Sequence, residues 1–114
     1  MVALAQLKMN KKSALKRSLD LFILDQVDRD IFSWTGNNVG FKRIFGGQVM
    51  AQTLIAAYKT VDAEHYAHSF HSYFLRPGNM DKPITFTVDR IRDGKSFTTR
   101  TVKAIQEGEA IFNC

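Results

Sequence analysis

The stretch from Gly47 to Thr60 constrains this chain more than any other. Read as a helix, it places Val49, Met50, Ala51, Leu54, Ile55, Ala56, Ala57 and Tyr58 around nearly its whole circumference. Gln48, Gln52 and Lys59 form one narrow polar line, at intervals of four and seven residues. A helix on the surface of a globular protein needs a broad polar face to meet water, and here there is only a stripe. The helix is therefore expected to be covered on most sides. In a chain of 114 residues the simplest cover is a strongly curved sheet.

The downstream sequence supplies such a sheet. Tyr66–Arg76 is strand-like and dense in aromatics, and Pro77-Gly78-Asn79 stops it. Ile84–Arg92 alternates, with Ile84, Phe86 and Val88 on one face and Thr85, Thr87 and Asp89 on the other. Arg92-Asp93-Gly94-Lys95 predicts a hairpin turn centred on Asp-Gly, with positive φ at both central positions. Ser96–Gln106 reads as a long strand, Glu107-Gly108 as a turn and Glu109–Cys114 as a further strand. Turns this short make the strands antiparallel neighbours. Upstream, Leu15, Leu19, Phe22 and Ile23 recur at helical spacing and predict a first amphipathic helix from Lys12 to about Gln26. Ile31–Trp34 reads as a short strand, Thr35–Asn38 as a turn and Gly40–Gly47 as a loop. The order is helix, short strand, covered helix, then an antiparallel meander. The expectation is an α+β chain with a leader over 1–30 and a single hotdog domain over 31–114, its long buried helix wrapped by a curved antiparallel β-sheet.

The length suits one domain with a core of its own. Cys114 is the only cysteine, so no internal disulfide forms, which suits a reducing compartment. No run approaches the roughly 18 apolar residues of a membrane span. The net charge of +5 invites a nucleic-acid reading, but its distribution opposes one. Lys8, Lys11, Lys12, Lys16 and Arg17 put all five excess charges in residues 1–19, which hold no acid. The remaining 11 basic and 11 acidic side chains (16 − 5 = 11 against 11) balance. A nucleic-acid-binding fold would carry its basic face on the body. The leader is too short in apolar residues for a secretory signal, and it is Lys-rich where a mitochondrial presequence would be rich in Arg and Ser. It reads as the solvated start of the first helix. Ala110–Cys114 ends inside an apolar strand, which reads as a piece of a longer protein.

Five runs resemble, in order and spacing, the N-terminal half of TesB-like (type II) acyl-CoA thioesterases: FGGQVMAQTL (Phe45–Leu54), HSFHSYFLRPG (His68–Gly78), KPI (Lys82–Ile84), RDGKSFTTR (Arg92–Arg100) and AIQEGEAIF (Ala104–Phe112). The resemblance implies an acyl-CoA hydrolase built from two hotdog domains in tandem. It implies that the catalytic Asp, Thr or Ser, and Gln lie in the second domain, so that no catalytic residue is expected in this chain and it is inactive alone. It further implies acyl-CoA as substrate, no metal or other cofactor, and a second hotdog domain or another hotdog protomer as partner. The compartment implied is the cytoplasm in a bacterium and the peroxisome in a eukaryote.

Several residues are candidates for a site. Gly46-Gly47-Gln48 opens the covered helix, where unpaired N–H groups and the positive end of the dipole suit an anion or a developing oxyanion, with Gln48 as an added donor. The plainer reading is that the glycines let the loop pack closely. Tyr73, Arg76, Pro77 and Gly78 are candidates for the wall of an acyl-CoA channel, and Arg76, Arg100 and Lys103 for phosphate contacts; salt bridges are the plainer role for each. His68 and His71 are candidates for a general base, against ordinary hydrogen-bonded strand histidines. His65, His68 and His71 do not make a metal set, because a strand points His68 and His71 to opposite faces. Ser96 lacks a nucleophile elbow. Phe70, Phe74, Phe86 and Phe97 read as core. Two rival functions stand beside hydrolysis: a non-catalytic acyl-CoA-binding or interaction module, and a hydratase or dehydratase, which needs an acid–His pair not evident at Gly47–Gln52. Fold alone does not choose between them.

Overall fold

The computed structural model describes residues 15–16, 19–36 and 44–114. Six strands, β1 (Asp25–Asp28), β2 (Ile31–Trp34), β3 (Tyr73–Phe74), β4 (Ile84–Asp93), β5 (Thr98–Gln106) and β6 (Glu109–Asn113), form one sheet. Their order is β1-β2-β4-β5-β6-β3 and every pairing is antiparallel. Helix α1 (Gly46–Tyr58) packs on β4 and β5.

The alternation read in β4 is realised. Ile84, Phe86 and Val88 are buried, Thr85 and Thr87 half-buried, and Asp89 exposed. The inward row meets Phe32 and Trp34 of β2, Val102 and Ala104 of β5, and Ile111 and Phe112 of β6 in one apolar cluster. Each large side chain so buried contributes roughly 1.5–3 kcal/mol. The β5–β6 turn also forms as read. Gln106 faces Glu109, and the two residues between them have φ of 50° and 80°. That is the type I′ geometry whose twist suits a two-residue hairpin.

Four expectations need correction. The first helix does not run to Gln26: Leu19 and Asp20 are helical, a turn follows, and Asp25–Asp28 is already β1. Leu21 and Leu24 dock on the core, whereas Leu15, Leu19, Phe22 and Ile23 are exposed. The chain must extend at this point to bring β1 into register with β2. The β4–β5 turn is not a two-residue Asp-Gly turn. Asp93 is the last residue of β4, opposite Thr98, and Gly94 closes a wider loop by donating to the Phe97 carbonyl at 2.9 Å. Neither Asp93 nor Gly94 has positive φ. A glycine is needed there for space, since a Cβ would lie 2.7 Å from the Phe97 oxygen.

The expected strand over Tyr66–Arg76 pairs only at Tyr73–Phe74, opposite Asn113 and Phe112 of β6. Residues 65–72 have no regular secondary structure and face no strand among the described residues. Phe70, Phe74 and Phe97 are consequently exposed, and of the four aromatics read as core only Phe86 is fully buried. Finally, α1 is covered on one side and not all round. Gln48, Val49, Gln52, Thr53 and Ala56 face the sheet, while Met50, Leu54, Ile55 and Ala57 are half-buried and Tyr58 is exposed. Gln48 and Gln52 of the polar line face inward, and Lys59 is exposed. The expected turn and loop over residues 37–43 lie outside the described residues.

Candidate functional site

Two cavities flank α1, one at each end. At its N-terminus, Phe45 is the cap residue and supplies no side-chain hydrogen bond, and the first turn holds no acid. Gln48 and Val49 donate back to the Phe45 carbonyl at 3.0 and 3.4 Å, whereas Gly46 and Gly47 have no acceptor among the described residues. The positive end of the helix is thus left open. Gly46 lines a cavity of about 390 Å³ with Ile44, Val49, Arg76, Pro77 and Gly78, closed on its other side by Phe74, Ile111 and Phe112. The sequence candidates Gly46, Arg76, Pro77 and Gly78 therefore do come together.

Close packing also operates at this end. A Cβ on Gly46 would sit 3.0 Å from the Phe74 ring, and one on Gly78 would sit 2.9 Å from Ile44 Cδ1. Gly47 is exposed and Gln48 is buried against the sheet, so neither lines the cavity. Arg76 donates from Nη1 to the Ala110 carbonyl at 2.7 Å and pairs with Glu109 at 3.4 Å, with its side chain half exposed. Some of its donors remain for a ligand. Tyr73, exposed on β3, lines neither cavity.

The second cavity, of about 180 Å³, lies at the C-terminal half of α1. Leu54, Ala57 and Val61 give it an apolar wall, and the irregular segment from His65 to His71 lines it as well. Tyr58 fixes that segment, because its hydroxyl accepts the Ala67 N–H at 2.7 Å. His68 stacks at a tilt on Phe97, ring centres 5.8 Å apart. All three histidines line this cavity. The alternation argued for a strand does not hold here, since the segment is not part of a ladder. No group of three His, Cys, Asp or Glu among the described residues is arranged to hold a metal ion. His65 Nδ1 is buried without a partner. Cys114 also lines the cavity, and burial pushes its thiol pKa up, away from a reactive thiolate.

Arg100 is at the edge of this cavity but is fully engaged elsewhere. Nε donates to Thr60 Oγ1, Nη1 to the carbonyls of Arg92 and Thr99, and Nη2 to the Thr60 carbonyl and the Asp93 carboxylate. A guanidinium has five N–H donors, and all five have protein acceptors. Its side chain is only 6% exposed. Arg100 therefore ties the end of α1 to the β4–β5 hairpin and has no donor left for a phosphate. Lys103 is exposed on β5 and lines neither cavity.

Sequence reasoning missed two polar locks near these cavities. Gln106, buried on β5, accepts the Asn79 N–H at 2.8 Å and donates to the carbonyls of Asn79 and Lys82. Asp30, in the left-handed region with φ 59°, takes a two-pronged hydrogen bond from Arg90 at 2.8 and 2.9 Å. The arginine holds the Asp30 carboxyl below the usual carboxylate range. Both locks join residues far apart in sequence, and no local spacing signals them.

Residues 33–114 match the family model described as the acyl-CoA thioesterase N-terminal domain. The chain is 44% identical over 91 residues to acyl-coenzyme A thioesterase 8 of Homo sapiens, covering 80% of this chain and 28% of that protein. It is 38% identical over 74 residues to the peroxisomal acyl-coenzyme A thioester hydrolase 1 of Saccharomyces cerevisiae, covering 65% and 21%. Among solved structures, an acyl-CoA thioesterase II from Mycobacterium marinum superposes with a TM-score of 0.74 at 41% identity, over 82% of this chain and 34% of that one. The chain spans about a third or less of the length of each of these relatives.

Proposed function

The chain belongs to the acyl-CoA thioesterase N-terminal domain family, and on that footing we propose that it is the substrate-lining half of an acyl-CoA hydrolase. In the whole enzyme, water attacks the thioester carbonyl, the C–S bond breaks, and a free fatty acid and CoA leave. This half supplies the open helix end at Gly46 beside Arg76-Pro77-Gly78, and the apolar wall of Leu54, Ala57 and Val61. A second hotdog domain or protomer supplies the acid–base set and covers the segment 65–72 and the outer face of α1.

One observation carries this reading: apolar walls and helix dipole surround the cavities, yet no polar side chain there forms a nucleophile–base pair. Arg100 is spent on structure, the Cys114 thiol is pushed up, and among the described residues no hydrogen bond links a histidine to a carboxylate. General base catalysis needs such an orienting partner. In a bacterium the enzyme belongs in the cytoplasm, and in a eukaryote in the peroxisome. No helix among the described residues is long and apolar enough to cross a membrane.

The test is thiol release from medium- and long-chain acyl-CoA by a protein in which this chain is continued through a second thioesterase domain. Turnover supports the reading. Binding of acyl-CoA with no thiol release by that longer protein would overturn it in favour of a non-catalytic binding module.

A further inference from the structure

The cavity at the C-terminal half of α1 has a lining and a size that together select what enters it. Leu54 and Ala57, one turn apart on α1, form its apolar wall with Val61. Tyr58, Phe70 and Phe97 also line it, and they are 39%, 37% and 59% exposed, so their rings have area to give to an apolar occupant. Ser69, Ser96 and Thr98 add hydroxyl groups without charge, and the three histidines add imidazoles. No Asp, Glu or Lys is among the described residues that line it. Its arginine, Arg100, has every donor on a protein acceptor. Burial raises the Cys114 thiol pKa, which leaves that group uncharged. An anionic group therefore finds no free lysine or arginine there, whereas a hydrocarbon finds walls.

The volume then limits the size of that hydrocarbon. A dry apolar cavity of about 150 Å³ takes a six-carbon ring. At about 180 Å³ this cavity takes about seven carbons on the same scale. Its dimensions are held from two sides. Tyr58 pins the His65–His71 segment to α1 by accepting the Ala67 N–H at 2.7 Å. Arg100 ties the end of α1 to the β4–β5 hairpin through Thr60 and Asp93. We propose that this cavity is a size-limited tail pocket, which takes about seven carbons of an uncharged acyl chain, with Ala57 and Val61 as the wall that sets the limit. That the chain belongs to an acyl-CoA rests on the function proposed above; the size limit belongs to the cavity itself.

The experiment is calorimetric titration of the 114-residue chain with butanoyl-, hexanoyl-, octanoyl- and dodecanoyl-CoA, at about pH 8, above the ordinary imidazole range. Each methylene taken into the cavity should tighten binding by about fourfold. The gain should run to octanoyl-CoA and then stop, with dodecanoyl-CoA within about threefold of octanoyl-CoA. Ala57→Phe and Val61→Phe each add a ring to the wall. Either should weaken octanoyl-CoA binding by roughly tenfold or more and leave butanoyl-CoA within about threefold of the parent. Two positions are used so that misfolding of one variant, seen by circular dichroism, leaves the other to decide. Val27→Ser, at an exposed residue of β1 that lines neither cavity, is the control and should keep the parent series. Affinity independent of chain length would overturn the size-limited pocket. So would affinity that climbs at an undiminished rate to dodecanoyl-CoA, or octanoyl-CoA binding that both ring variants leave intact. Absence of binding by every acyl-CoA would overturn it as well, and thiol release by the longer protein would still decide the hydrolase reading separately.

Discussion

Arg100 looks like a phosphate ligand in the sequence and acts as a latch in the structure. Its five donors close on Thr60, Arg92, Asp93 and Thr99. Lysine cannot reproduce a planar fork, so Arg100→Lys should leave buried acceptors unpaired and cost about 2–3 kcal/mol. Thermal unfolding would then fall by roughly 10 °C or more in a domain of this size. Acyl-CoA binding by correctly folded protein should change little, and a selective loss of affinity at unchanged stability would contradict the assignment. Asp30 permits a pH prediction. Its carboxyl is held down chiefly by the hydrogen bond from Arg90. A carboxyl lowered in the folded state stabilises the fold above its unfolded value, near 3.8, and that contribution is lost as pH falls through the lower folded value. Asp30→Asn should therefore be less stable than the parent at neutral pH, and the difference should shrink on acidification below that value. Urea midpoints measured across that range check it, and a constant difference would contradict it. Neither lock was legible in the sequence, because Asp30 and Arg90 stand sixty positions apart and Arg100 and Thr60 forty.

The elements that were legible are those whose pattern and neighbours agree. β2, α1, β4 and the Glu107-Gly108 turn lie within a residue or two of where periodicity and turn chemistry put them. The hotdog arrangement they imply is the one found, a single long helix on an antiparallel sheet. Periodicity failed where the partner decides. Aromatic density marks Tyr66–Arg76 as strand, but a strand needs a neighbour to bond, and β6 reaches only the end of this stretch, from Tyr73 to Arg76. Likewise an apolar circumference shows that α1 wants covering without showing which side the sheet takes, and the glutamines turned out to face inward. In the chain alone, amides of His68–Ser72 should exchange with water nearly unprotected, whereas those of β4 and β5 should report global stability. Hydrogen exchange by mass spectrometry separates these classes, and strong protection over 68–72 would mean that the segment is paired. Gly78→Ala tests the close packing at the other cavity. A Cβ there meets Ile44 and Ile111 side chains, and the overpacking should cost about 1–3 kcal/mol.

At the scale of the whole molecule, the described residues build a core and two lined cavities but leave large apolar surfaces uncovered. Tyr66, Tyr73 and Phe74 on the edge segment are 83%, 73% and 58% exposed, beside the half-covered outer face of α1. An exposed apolar edge of this kind seeks a partner. Under the proposed function this domain lines the substrate and a second domain hydrolyses it. The most direct test compares thiol release from the same acyl-CoA by the 114-residue chain alone and by the chain continued through a second thioesterase domain. The expected result is a kcat/KM for the chain alone lower by about 10³ or more, the scale lost when acid–base groups are missing. Comparable rates from the two proteins would contradict it and place the catalytic groups in this domain.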